Sequence, residues 1–97
     1  MRVFVKYYGV IKEFAGTSTE EYVLPEGSVF IDLMNLIVEK HKRDDLYDKL
    51  WDKKEKELKP LVLVVVDGED PMALGGYDKV VLRENSRVDL TTAIAGG

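Results

Sequence analysis

The chain has 97 residues, with 14 basic and 18 acidic side chains, a formal charge of −4 and no cysteine. That length holds one domain, residues 1–97, and the missing thiols exclude disulfides, thiolate metal sites and a cysteine nucleophile. The acidic balance argues against a nucleic-acid partner, which needs clustered Lys and Arg. No run reaches the roughly 18 apolar residues that cross a bilayer, so a cytoplasmic protein with no membrane partner is expected.

From Met1 to Tyr8 the chain alternates, with Val3, Val5 and Tyr7 on one side and Phe4, Lys6 and Tyr8 on the other. A period of two predicts a strand, starting at Met1-Arg2-Val3-Phe4 with no apolar signal-peptide core before it. Gly9 and Gly16 bracket six residues that are read as a turn or a single helical turn. Thr19 to Leu24 resumes the alternation with Tyr22 and Leu24 on a shared face, which predicts a second strand in a hairpin with the first.

Pro25-Glu26-Gly27 ends that strand, and Ser28 is the expected N-cap of a helix, with Asp32 placing negative charge in its first turn. Val29, Leu33, Leu36 and Ile37 recur at helical spacing, and Phe30, Met34 and Val38 widen the stripe enough to cover one face of a sheet. The single histidine, His41, sits among Glu39, Lys40, Lys42 and Arg43. It is expected to be a solvated helix-end residue and not a catalytic base, and no second ligand at metal-binding spacing accompanies it. Leu46, Tyr47, Leu50 and Trp51 predict a short amphipathic helix inside the charged 39–59 stretch.

Leu61 to Val66 is a continuous apolar run, expected to be a strand buried on both faces. Gly75-Gly76 lacks the lysine and helix of a phosphate-binding loop and reads as a plain turn. Lys79 to Leu82 predicts a short strand, and Arg87 to Ile94 a longer one with Val88, Leu90, Thr92 and Ile94 facing one way. One main helix against a mixed sheet of four to five strands, with a second short helix, is an α+β fold.

Directly after the last strand stand Ala95, Gly96 and Gly97, expected to form a flexible tail. Glycine has no Cβ, so another protein's active site can close around the main chain and reach the Gly97 carboxylate. That carboxylate is a poor electrophile until adenylation gives it a leaving group. It could then accept sulfur to become a thiocarboxylate, or an amine to become an amide. With no evident nucleophile, base or phosphate loop of its own, the chain is expected to be a carrier and not an enzyme.

The order of Tyr8-Gly9, Lys12-Glu13, Gly16, Leu24-Pro25-Glu26-Gly27-Ser28, Val66-Asp67-Gly68-Glu69-Asp70, Leu74-Gly75-Gly76 and Ala95-Gly96-Gly97 resembles the MoaD/ThiS family of sulfur carriers. The likeness is to the longer, archaeal type of molybdopterin synthase small subunit and extends to archaeal ubiquitin-like modifiers. It covers nearly the whole chain. It implies a ubiquitin-like β-grasp fold with the first and last strands parallel at the sheet centre. It further implies an E1-like adenylating enzyme that uses ATP, no bound cofactor or metal, modification at Gly97, and sulfur delivery to the molybdopterin synthase large subunit. The alternative is attachment of Gly97 to lysines of target proteins.

Two segments depart from the family pattern: Glu84-Asn85-Ser86 replaces an Asp-Gly-Asp turn, and Thr91-Thr92-Ala93 replaces an apolar residue followed by two prolines. The second change alters the surface beside the tail, where Thr91 should face away from Val88 and Leu90. Phe4, Tyr8, Thr91 and Ile94 are therefore the candidate partner-docking surface, with Phe4 either free to dock or covered by the Trp51 segment.

Overall fold

The computed structural model describes residues 1–52, 54–55 and 57–92. The alternating N-terminal segment is strand β1, Arg2–Tyr7. Its hairpin partner β2, Thr19–Val23, runs antiparallel, with Val3 opposite Tyr22 and Val5 opposite Glu20. Between them Gly9–Ala15 forms a helix, α1, longer than the turn expected from the two bracketing glycines. Burial of Ile11 and a left-handed Gly16 at φ 74°, whose N–H donates to the Lys12 carbonyl at 3.0 Å, stabilise it beyond its local propensity.

Helix α2 spans Phe30–Lys40 and turns Phe30, Leu33, Met34 and Ile37 fully inward. Each such side chain contributes about 1.5–3 kcal/mol by leaving water. Four of them make α2 the main helical contributor to the core. Leu36, expected on the same stripe, is 40% exposed. Ser28 does not cap this helix, because its hydroxyl donates back to the Pro25 carbonyl at 2.7 Å. Val29 takes the N-cap position, and the Asp32 carboxylate accepts from the Val29 N–H at 2.9 Å.

The short amphipathic helix is present as α3, Asp45–Leu50, with Leu46 and Leu50 buried in the same core. Trp51 belongs instead to a two-stranded ribbon, β3 (Trp51–Asp52) against β4 (Glu57–Leu58), which was not evident from the charged sequence around it. Strand β5, Val62–Val66, and strand β6, Ser86–Thr92, complete the main sheet in the order β2-β1-β6-β5. β1 and β6 are the parallel central pair, with Val5 opposite Val88 and Tyr7 opposite Leu90.

Three expectations change at the sheet margin. β5 is an edge strand buried on one face only, with Val62, Val64 and Val66 inward and Leu63 47% exposed, so its valine run reflects β-propensity more than double-sided burial. Lys79–Leu82 forms no ladder strand: Val80 and Leu82 are buried, but Val81 makes only an isolated bridge to Val29. Pro71–Leu74 is a 3-10 turn whose Met72 N–H donates to the Asp70 carboxylate at 2.9 Å.

The departure at Glu84-Asn85-Ser86 has a local explanation. Asn85 has φ 67°, in the left-handed region that asparagine tolerates better than most residues. It can therefore serve where the family has glycine. The Asp67 carboxylate fixes the turn by accepting from Ser86 Oγ at 2.9 Å and from the Arg87 N–H at 2.8 Å. Among the described residues no helix is long and apolar enough to cross a membrane.

Candidate functional site

Strand β6 carries the chain through the sheet centre and reaches Thr92, the last described residue, paired with Val62. The expected tail, Ala95, Gly96 and Gly97, and the outward candidate Ile94 lie outside the described residues. What the structure does define is the platform from which they leave. β6 is held on one side by β1 and on the other by β5, a tethering that fixes the direction of the chain up to Thr92.

The remaining docking candidates share the outer sheet face. Phe4 is half-buried, with Glu21 and Arg87 opposite it on the flanking strands. Tyr8 is tied into polar groups: its hydroxyl donates to Asp89 Oδ1 at 3.0 Å and accepts from Arg87 Nη2 at 2.8 Å, and Lys6 Nζ lies 5.2 Å from its ring centre. Thr91 is half-buried opposite Leu63. Phe4, Tyr8 and Thr91 are thus brought to one face, and Leu63, overlooked in the sequence because its neighbours suggested a buried run, adds the exposed apolar surface. Trp51 follows α3, whose Leu46 and Leu50 pack into the core on the opposite side of the sheet, so the two alternatives for Phe4 resolve in favour of an open outer face.

The densest titratable cluster is elsewhere, and sequence reading missed it. The alternation that turns Tyr22 and Leu24 inward turns Glu20 inward too, where it is only 9% exposed. Glu20 Oε1 accepts from the Tyr7 hydroxyl at 2.5 Å, the Tyr22 hydroxyl at 3.0 Å and His41 Nε2 at 2.8 Å, while Oε2 meets Lys40 Nζ at 2.5 Å. His41 Nδ1 lies 2.8 Å from Asp44 Oδ2. The histidine is 4% exposed, which corrects the expectation of a solvated helix-end residue. It closes α2 as C-cap, and the carboxylates on both sides of its ring hold it inside. A doubly protonated ring donates to both; a neutral one would set a lone pair against one carboxylate.

Burial would raise the Glu20 carboxyl, but the hydrogen bonds from Lys40, Tyr7, His41 and Tyr22 together lower it from 4.5 to about 2. The Tyr7 and Tyr22 hydroxyls are pushed up, first by burial and then by the neighbouring negative charge. Glu20, depressed in the fold, contributes stability that is fully present above its ordinary value and is lost as pH falls from about 4.5 toward 2. The half-exposed Lys40 is partly screened by water, which keeps the linked loss to about 2 kcal/mol. Urea titrations at pH 6, 4 and 3 should show midpoints falling across that window, with a flatter profile in Glu20→Gln. With its donors spent on one another, the cluster ties β1 and β2 to the end of α2 and offers no open position to a substrate.

No protein-family model and no curated protein matches the chain. Its fold does match solved structures along their full length. SAMP1 of Haloferax volcanii superposes with a TM-score of 0.82 at 18% identity, covering 100% of both chains. The putative molybdopterin converting factor subunit 1 of Pyrococcus furiosus gives 0.71 at 22% identity, covering 97% of this chain and 99% of that one. Urm1 of Trypanosoma brucei gives 0.73 at 26% identity, covering 99% and 95%. The parallel central strands, the helix packed across one sheet face and these superpositions make the chain a ubiquitin-like β-grasp protein that resembles the MoaD/ThiS-like carriers and modifiers.

Proposed function

We propose that the chain is a sulfur carrier whose Gly97 carboxylate is adenylated and then converted to a thiocarboxylate that donates sulfur in molybdopterin biosynthesis. The observation that carries this reading is the placement of β6: a central strand held on both sides ends at Thr92, five residues before Gly97, in a fold shared with the P. furiosus converting factor subunit.

In the first step a carboxylate oxygen of Gly97 attacks the α-phosphorus of ATP and displaces pyrophosphate, leaving an acyl-adenylate. A sulfur nucleophile then attacks the carbonyl carbon and expels AMP. ATP belongs to the activating enzyme and not to this chain. An E1-like enzyme in the cytoplasm would make the adenylate, and the molybdopterin synthase large subunit would take the sulfur. The chain contributes a rigid platform, a tail without bulky side chains at its end, and an outer face with Phe4, Tyr8, Leu63 and Thr91 for docking. Such an enzyme should catalyse exchange between ATP and labelled pyrophosphate only when this chain is added; exchange that ignores the chain would refute the reading.

A second reading, conjugation of Gly97 to lysines of other proteins, is favoured by the superposition on SAMP1, a protein titled as a small archaeal modifier. Arg87 is the last tryptic site, so conjugates would yield lysines bearing a branch from Val88 to Gly97. Tryptic digests of cells expressing the chain should contain that branch if this reading holds, and only free protein if it does not.

A further inference from the structure

Beside the end of β6 lies a cavity of about 370 Å³ that the sulfur-carrier reading does not use. Val10 and Ile11 of α1 form one wall, Leu61 and Val62 at the start of β5 the other, and Thr92 closes its end. The lining is predominantly apolar, and Leu61 remains 53% exposed at its edge. Two cations also line it, Lys49 from α3 and Lys59 from the β4–β5 link. Lys49 Nζ lies 5.0 Å from the Phe14 ring centre, and neither lysine has an ion-pair partner among the described residues. Thr92 Oγ1 is buried and has no hydrogen-bond partner among the described residues.

These features fit one occupant by position, polarity and charge. Residues 93–97 leave Thr92 at the cavity itself, and their sequence, Ala-Ile-Ala-Gly-Gly, supplies one large apolar side chain followed by a negative terminus. Five residues reach up to about 17 Å when extended, enough for the chain to turn back along a cavity that begins at its own root. We propose that this groove is the resting seat of the chain's own C-terminal segment, with Ile94 against Val10, Ile11 and Leu61 and the Gly97 carboxylate between Lys49 and Lys59. Thr92 Oγ1 then has the returning backbone as its partner, as Thr side chains do for amides one or two residues ahead. The seat needs the free carboxylate of Gly97 but not its activation, so it stands or falls separately from the sulfur-carrier reading. An activating enzyme would have to draw the tail out of the groove, and anything that empties the groove would raise the fraction of tail open to capture.

The test compares the full chain with Ile94→Asp and with the double variant Lys49→Glu/Lys59→Glu, none of which removes a core residue. In the wild-type chain, nuclear Overhauser contacts should join the Ile94 methyls to those of Val10 and Ile11. Truncation after Thr92 should shift the amides of Val10 and Lys49, which are remote in sequence from the cut. Carboxypeptidase should release Gly97 about fivefold faster from both variants than from wild type. Absence of the methyl contacts together with equal release rates would overturn the proposal. Contacts that grow with protein concentration would also overturn it, because they would place a second copy's tail in the groove.

Discussion

Replacing Glu20 with alanine is expected to destabilise the fold by about 3–5 kcal/mol, among the largest losses any single side chain here can cause. Four donors converge on that carboxylate, and Tyr7, Tyr22 and His41 are themselves buried. Alanine would leave two hydroxyls and an imidazole facing a void, and a cationic ring would keep only Asp44 as counter-ion. The penalty is therefore mainly the desolvation of partners left unpaired, not the net worth of the bonds. Tyr7→Phe, which keeps the ring and removes one hydroxyl, should cost only about 1–2 kcal/mol. A Glu20/His41 double-mutant cycle should be strongly non-additive, because either single change already breaks the shared bond. Urea denaturation at pH 7 checks all three. A loss below about 1 kcal/mol for Glu20→Ala would mean that the cluster is held by packing and not by its carboxylate.

Deletion of Gly97 should have the opposite profile, with stability unchanged and activation reduced at least about hundredfold. The core residues all lie at or before Leu90, so the fold has nothing to lose at the last position. The deletion still leaves a carboxylate, on Gly96, but draws it back by about 3.3–3.6 Å along the tail. In-line attack on a phosphorus is sensitive to misplacement of about 1 Å, which accounts for the expected size of the loss. Adding one glycine beyond Gly97 should give a comparable loss by overshooting. Thermal melts and pyrophosphate exchange on the same preparations separate the two effects.

Both predictions rest on features that differ in how openly the sequence shows them. The period-two patterns of β1 and β6, the apolar stripe of α2 and the terminal glycines are local signals, and the fold follows from them and from the family resemblance. Whether Val62–Val66 lies at the centre or the edge is a property of sheet order, to which composition is blind. Lys79–Leu82 has strand-like composition but gains only one bridge, because pairing depends on a neighbour the sequence does not specify. The Trp51–Leu58 ribbon is closed by a turn in which Asp52 Oδ1 accepts from the Lys54 and Glu55 N–H groups, a short-range device hidden within a run of charges. His41 looked solvated because its sequence neighbours are charged, yet Glu20, 21 residues earlier, draws it inward. The inward Glu20 was legible as a conflict between charge and strand face, and such conflicts mark where buried polar networks form.

The outer face had the same mixed legibility. Phe4 and Tyr8 were placed correctly by alternation, whereas Leu63 was hidden in an apolar run and Tyr8's bonds to Asp89 and Arg87 depend on strand register. This arrangement makes Tyr8 a braced member of the surface and leaves Phe4 and Leu63 as its apolar contacts.

The most direct test of the account is the intact mass of the chain after incubation with an E1-like adenylating enzyme, ATP and a sulfur donor. The predicted result is an increase equal to the difference between one sulfur and one oxygen atom, localised to Gly97 by fragmentation and absent when ATP is omitted. An unchanged mass with enzymes that do adenylate the chain, or a sulfur addition mapped to any residue other than Gly97, would contradict it.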